Sequence, residues 1–285
     1  MKKLLIITLL FVSVKVLAQY DLAAVNYTKQ DSIDVISLIK KAQLLPQNSN
    51  VFFEVGKMFI DRPYVGQTLD REKKERLVVN VREVDCTTYV EYVLAVTLCV
   101  KNKKTTFSDF CKYLADIRYI GGKVGYTTRQ HYFSIWINDN IKDGFIEEIV
   151  FKQSPFTAIQ TVNVDYMTKH VSSYFMLKNN RQWIKDIRNL ENSINGKSYR
   201  YIPKSRIKNT KQLRNIIKEG DILAIVTTKK GLDISHLGLA VWKKDGLHLL
   251  NASSIHKKVI SEPMTLSQYL QKHPSFVGIR VIRVK

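Results

Sequence analysis

The chain has 285 residues, 45% hydrophobic and 10% aromatic, with few Gly and Pro, which supplies a sizeable core. That composition excludes a disordered, low-complexity or collagen-like chain, shows no repeat period, and allows one large domain or two small ones. A formal net charge of +20 favours anionic partners such as nucleic acid, anionic lipid or an acidic wall polymer.

Residues 1–18 have the organisation of a secretory signal. Lys2 and Lys3 precede an apolar run from Leu4 to Val14, and Val16-Leu17-Ala18 offers a cleavage site, so Gln19 would begin the mature chain. The run is too short to span a bilayer, and no Cys follows it to carry a lipid. The expectation is a periplasmic or secreted protein without stable membrane insertion and, because it is exported, without a nucleic-acid partner. Three cysteines, Cys86, Cys99 and Cys111, make an odd number in an oxidising compartment. Cys99 and Cys111 could pair; whichever pair forms, one thiol is left over, and Cys86 is the best candidate for it.

Apolar spacing predicts helices over residues 32–45 and 51–60, the first closed by Pro46-Gln47-Asn48-Ser49-Asn50. A turn-like Asp61-Arg62-Pro63-Tyr64-Val65-Gly66 follows, then a short strand at 77–81. Asp85 is a good N-cap, and Val90, Val93, Leu94 and Leu98 form one face of the helix behind it. A further helix is predicted over 107–119, ended by Gly121-Gly122. Residues 127–140 mix aromatics with Arg129, His131 and Asp139, either as interface aromatics or as the lining of a polar cleft. Residues 144–200 carry no clear period. The end of the chain reads as strands at 221–226, 235–242, 247–252, 258–261 and 276–284, with Asp245-Gly246 as a hairpin signal. Consecutive strands after helices predict an α+β fold with an antiparallel meander.

The chemistry centres on Cys86, where a polar loop meets an apolar helix. A cysteine beside such a run is commonly a small buried hydrophobe. At a helix N-terminus, however, the partial positive charge favours the nucleophilic thiolate. A thiol hydrolase also needs a base and a group to orient it. His236 begins an apolar strand and shares a face with Gly238 and Ala240, which leaves room for a helix end. Pairing around Asp245 places Asn251 roughly opposite His236–Leu237, where its amide oxygen can fix the imidazole tautomer. His248 is too near the turn, and His256 lies beyond the strand. The His and Cys spacings match no zinc pattern, so no metal or other cofactor is expected.

These residues carry a resemblance. Asp85-Cys86-Thr87-Thr88-Tyr89-Val90-Glu91, Gly220-Asp221, and Asp233-Ile234-Ser235-His236-Leu237-Gly238 resemble the NlpC/P60 cysteine peptidases of bacterial cell walls, as does the Pro63-Tyr64 segment. With Arg129-Gln130-His131-Tyr132, Trp136-Ile137-Asn138-Asp139-Asn140 and Leu249-Leu250-Asn251-Ala252-Ser253-Ser254, the chain is most similar to the DUF1460 group, N-acetylmuramoyl-L-alanine amidase-like proteins. The resemblance runs from about residue 50 to the end. It implies a papain-like α+β fold, with residues 19–285 as one catalytic domain that carries an insertion between about 100 and 215. It implies Cys86 as nucleophile, His236 as base and Asn251 as orienter, at a position where this group is expected to carry His. Tyr64 would lie beside the oxyanion, with Asp85, Arg129, His131 and Ser235 near the substrate. The function implied is hydrolysis of the N-acetylmuramoyl-L-alanine amide of peptidoglycan or muropeptides. Two alternatives stay open: a γ-D-glutamyl-diamino acid endopeptidase of the same fold, and a non-catalytic protein that binds wall fragments. Charge alone would also suit a secreted polyanion-binding protein.

Overall fold

The computed structural model describes residues 20–285; the signal expected at 1–18 lies outside them. In chain order the described elements are β1 (Val25–Asn26), α1 (Lys29–Gln43), α2 (Val51–Lys57), β2 (Leu77–Val78), α3 (Cys86–Lys101), α4 (Phe107–Arg118) and α5 (Phe133–Lys142). Then come β3 (Ile146–Ile149), β4 (Ala158–Thr161), α6 (Tyr166–Lys169), α7 (Phe175–Asn179), α8 (Trp183–Asn192), β5 (Ser198–Pro203) and α9 (Lys211–Ile216). The chain ends with β6 (Ile222–Thr227), β7 (Ile234–Trp242), β8 (Leu247–Ser253), β9 (Lys258–Ser261), α10 (Leu266–Gln271) and β10 (Phe276–Val284).

The fold is a mixed α+β arrangement built on an antiparallel sheet ordered β4-β5-β10-β6-β7-β8-β9. β3 pairs with the far half of β10, next to the stretch that pairs with β5. The last five strands fall where the alternating pattern predicts them. The simple meander holds only for β6 to β9: β10 returns beside β6, not β9. Helix α10 carries the chain back across one face of the sheet, started by a capping box between Thr265 and Gln268. Four strands, β1, β3, β4 and β5, are not predicted from the sequence because they are short and only partly buried.

Helix α3 is apolar nearly all round, and Tyr89 to Cys99 are buried without interruption. Such a helix belongs inside a core, not on a surface. It packs between α1, α2 and α4 and one face of the sheet, where Leu237, Leu239, Leu250 and Ala252 meet it. The opposite face, with Ile225, Ala240, Leu249 and Ile279, is covered by Leu213 of α9 and by Leu266, Tyr269 and Leu270 of α10. Residues of the long middle stretch, among them Tyr132, Met167, Leu177 and Ile187, form a third cluster. All three cysteines are free, and Cys99 and Cys111 are fully buried in the first cluster.

Buried charge ties the layers together. Arg118 of α4 donates to Glu91 of α3 at 2.7 Å and to the Val78 carbonyl at 2.8 Å, with both side chains almost fully enclosed. Arg280 of β10 makes a two-point pair with Glu148 at 2.6 and 2.9 Å and donates to Ser134 Oγ at 2.8 Å. Removing one member of such a pair strands the other charge. Glu91→Ala should therefore cost about 3–5 kcal/mol in urea denaturation at an unchanged m-value. A loss below about 1 kcal/mol would mean that the Val78 carbonyl alone satisfies the guanidinium.

Candidate functional site

Asp85 fixes the start of α3. Its Oδ1 accepts from the Thr87 N–H (3.0 Å), the Thr88 N–H (2.8 Å) and the Thr88 hydroxyl (2.9 Å), while Thr88 Oγ1 accepts from the Asp85 N–H (2.9 Å). This closes a capping box and makes Cys86 the first helical residue. The preceding loop is strapped in place by the Pro63-Tyr64-Val65 segment. Val84 N–H donates to Pro63 O and Val65 N–H to Val84 O, both at 3.0 Å, and Tyr64 N–H donates to Lys257 O at 2.9 Å.

His236 sits beside a bulge. In the pairing of β6 with β7, Ile225 faces His236 and Val226 faces Ile234, which leaves Ser235 as the extra residue. A bulge re-aims the side chains next to it and ends regular pairing. On β8, Leu250 pairs with Leu239, so the register places Asn251 across from Gly238, not opposite His236–Leu237 as the sequence suggests. The predicted contact forms all the same, diagonally: His236 Nε2 lies 2.9 Å from Asn251 Oδ1. An amide oxygen only accepts, so Nε2 carries the proton and Nδ1 is the basic nitrogen. Gly238 makes the diagonal possible. A Cβ there would stand 3.0 Å from Asn251 Cβ and 2.9 Å from Leu249 Cδ2.

One expectation is corrected. The face shared by His236, Gly238 and Ala240 does not receive the helix that carries Cys86. Ala240 belongs to the cluster under α10, and Tyr269 of α10 lies against His236 with ring centroids 6.3 Å apart. Helix α3 packs on the other face, through Leu237 and Leu239. Cys86 meets the strand near its start, where it lines a cleft with Ser235, His236 and Leu237.

The electrostatics also depart from expectation. Cys86 is partly exposed, yet the surrounding protein pushes its thiol up to about 12, with the Asp85 carboxylate adding to the rise. The Thr87 hydroxyl and the N–H groups of Leu237 and Cys86 oppose this and do not overcome it. Burial holds His236 below the ordinary imidazole value; its bond to Asn251 works the other way, and His273 nearby lowers it further. The resting pair is therefore neutral thiol and neutral imidazole. The Tyr64 backbone bridges to Val84, two residues before Cys86, and burial raises its phenol to about 12, with the Asp85 carboxylate adding to the rise.

Cys86, Thr87, His131, Tyr132, Ser235 and His236 line one cleft of about 110 Å³. A second hollow of about 230 Å³ shares Thr87, Gln130 and His131 with it and is walled by Asp70, Asp85, Arg129 and Tyr174. His131 Nε2 donates to the Tyr126 carbonyl at 2.7 Å, and burial lowers its pKa to about 3, so it stays neutral with Nδ1 as an acceptor. Arg129 is buried against Asp70 at 2.5 Å and over the Tyr126 ring at 5.0 Å, and Asp85 is occupied as a cap. His248 and His256 turn away, His248 to Asp245 and the Glu262 carbonyl, His256 to Glu262. Among the described residues, no group of three or more His, Cys, Asp or Glu is arranged to hold a metal ion.

The sequence reading missed two groups. Tyr269 backs His236 and lies tilted against His273, with ring centroids 4.7 Å apart; only the Thr265-to-Gln268 capping box could have signalled its helix. Asp233 anchors the loop before Ser235: its Oδ2 accepts from the Ser134 N–H at 2.6 Å, and its carbonyl accepts from Gln160 at 2.7 Å. Ser134 is in turn held by Arg280. Gly238→Ala should push Asn251 off His236 at a packing cost of about 1–3 kcal/mol. Nitrogen-15 chemical shifts of His236 should then change from one fixed tautomer to a mixture. An unchanged tautomer would show that the diagonal contact does not need the glycine.

Residues 54–279 match the AmiA-like family model, described as N-acetylmuramoyl-L-alanine amidase-like. Among solved structures, an N-acetylmuramoyl-L-alanine amidase from Bacteroides uniformis is 39% identical, covers 82% of this chain and 98% of its own, and superposes with a TM-score of 0.76. A Bacteroides fragilis protein provisionally named a xylanase is 40% identical, covers 80% and 98%, and has a TM-score of 0.74. A Legionella pneumophila protein of the DUF1460 family, at 23% identity, covers 90% and 94% with a TM-score of 0.67 and so shares the fold. No curated protein matches. The family model spans most of the chain, and this protein belongs to the AmiA-like, N-acetylmuramoyl-L-alanine amidase-like family.

Proposed function

We propose that this chain is an exported cysteine amidase that hydrolyses the amide between the N-acetylmuramic acid lactyl group and L-Ala, with Cys86 as nucleophile and a papain-like site of the NlpC/P60 kind. The observation that carries the reading is the His236–Asn251 hydrogen bond, beside the cleft that Cys86 opens onto. Family membership and the Bacteroides uniformis amidase at 39% identity support the substrate class. Export rests on the signal-like residues 1–18.

Each step follows from the neutral resting pair. Cys86 Sγ attacks the lactyl carbonyl carbon as its proton passes to His236 Nδ1. The Nε2 proton stays on the bond to Asn251, which holds the ring in orientation and helps it bear the charge. The Cys86 N–H, with the Tyr64 phenol, receives the oxyanion. The imidazolium then gives its proton to the departing L-Ala nitrogen, leaving a thioester. Water attacks the thioester with His236 again as base, releasing the muramic carboxylate and the thiol. His131 Nδ1 and Ser235 face substrate polar groups from the cleft wall. A xylanase activity fits less well, because glycoside hydrolysis needs two carboxylates flanking the bond, roughly 5–9.5 Å apart. Among the described residues lining the cleft, Asp233 is the one carboxylate, and it is held by Ser134.

The test is a digest of purified muropeptides, wild type beside Cys86→Ala, read by mass spectrometry. The expected products are free stem peptide and peptide-free sugar, absent with the variant. Cleavage within the peptide would make it an endopeptidase, and no cleavage at all would favour a binding protein of this fold. Asn251→Ala should lower kcat about tenfold to a hundredfold. The pH profile should follow His236, which must be neutral to accept the thiol proton. Because burial lowers its pKa, activity should persist below the ordinary imidazole value of about 6.5 before the acid limb falls. In Asn251→Ala the limb should move further down, since the lost bond had favoured the charged ring. An acid limb at or above the ordinary value would count against His236 as the base, whereas a resting thiolate–imidazolium pair would add a basic limb where the imidazolium loses its proton.

A further inference from the structure

The cations of this chain are unevenly matched. Lys57, Lys112, Lys169 and Lys258 each stand within 2.7 Å of a carboxylate. Between residues 192 and 218, by contrast, eight Lys and Arg occur without a single Asp or Glu. Among the described residues, neither Arg206, Lys208, Lys211 and Arg214 of this stretch nor Lys243 and Lys244 of the β7–β8 turn has a carboxylate within salt-bridge distance.

The fold gathers these two segments into one face. Asn209 Nδ2 donates to the Lys244 carbonyl at 3.0 Å, and Arg214 donates to the Lys243 carbonyl and to Asn209 Oδ1, both at 2.8 Å. The Arg214 guanidinium lies over the Trp242 ring at 4.4 Å. Two clefts of about 360 and 260 Å³ open in this face and share Lys208 as a common wall. Arg206, Ser205, Thr210 and Gln212 add donors to the first. The second holds one carboxylate, Asp245, whose Oδ1 already meets His248 Nε2 at 3.0 Å.

We infer that this face is a docking surface for a carboxylate-bearing glycopeptide polymer of the cell wall, separate from the cleft at Cys86. The inference rests on the proposed function for the identity of the polymer. Two clefts joined at a lysine suit an extended chain carrying repeated anions better than a single small ion. Neither cleft is lined by an aromatic residue, so the stacking that single-stranded nucleic acid uses is missing. Their apolar lining residues Ile207, Leu213 and Leu247 are buried, which leaves nothing to insert into a bilayer. Lys243 lies seven residues along β7 from His236, about 23 Å at strand spacing. A wall strand held there leaves the cleft free and raises the local concentration of stem peptides around it.

The test uses the mature chain carrying Cys86→Ala, co-sedimented with insoluble peptidoglycan at low salt. Adding Arg206→Glu, Lys208→Glu and Lys211→Glu together should cut retention at least about tenfold, as should salt near 0.5 M, where the screening length falls to a few ångström. Peptidoglycan with its carboxylates chemically amidated should be retained no better by the parent than by the charge-reversed variant. In the active background, the same three changes should leave turnover of a soluble muropeptide unchanged, which also reports that the variant is folded. Equal retention of parent and variant, or indifference to amidation, would overturn the inference. So would a loss confined to DNA or to anionic vesicles. If soluble muropeptides are not cut by either chain, the catalytic reading fails, and the sedimentation comparison still decides whether this face binds the wall.

Discussion

The close approach of β7 and β8 at Gly238 is the constraint on which the site depends. His236 and Asn251 are not opposite each other in the ladder; they meet diagonally, across a position where any Cβ would stand 3.0 Å from that of Asn251. Diagonal neighbours in an antiparallel pair are normally farther apart than a hydrogen bond requires. The bulge that leaves Ser235 unpaired turns His236 toward Asn251, and the glycine removes the obstacle between them. The two features act together. Asp233, fixed by Ser134 and by Gln160, keeps the bulge from drifting.

The second constraint is desolvation. A helix N-terminus favours a thiolate, but its effect is worth roughly 0.3–1 kcal/mol at ordinary exposure. Enclosure within α3, the Tyr64 segment and β7 acts the other way, and the carboxylate that caps the helix sits next to the sulfur. The residue that makes the helix start well defined therefore also opposes ionisation of the thiol it positions. His236 is half-buried as well, and its partner Asn251 is neutral. A charged partner would stabilise an imidazolium at rest; an amide orients the ring and leaves it a free base. The same enclosure thus disfavours charge on both groups.

Much of this was legible in the chain itself. The capped start of α3 follows from Asp85 and the apolar spacing behind it, and the strands from Ile222 onward follow from alternation and from Asp245-Gly246. The meeting of His236 with Asn251, beside the cleft that Cys86 lines, follows from asking what a thiol would need. The register of β8 was misjudged because it depends on the number of residues in the turn, which composition does not fix. The face of His236 was misread for a related reason: alternation tells which residues share a face but not which layer covers it. Helix α10 and Tyr269, which cover that face, come from a stretch whose pattern is too short to stand out. The thiol pKa was misjudged because burial is a property of the assembled layers, whereas the helix end is visible locally.

Asn251 bears on whether this site acts or merely binds. Its Nδ2 is buried and has no hydrogen-bond partner among the described residues, although its Oδ1 is engaged by His236. An unpaired buried donor costs about 1–3 kcal/mol, and an apolar residue at this position in the middle of β8 would avoid that cost. Neighbouring Leu249, Leu250 and Ala252 show that the strand otherwise takes apolar side chains here. A protein that only held wall fragments in the cleft would gain nothing from fixing the tautomer of a histidine whose basic nitrogen it never used. The cost is explained if the free Nδ1 must be available, in one orientation, to take a proton from Cys86.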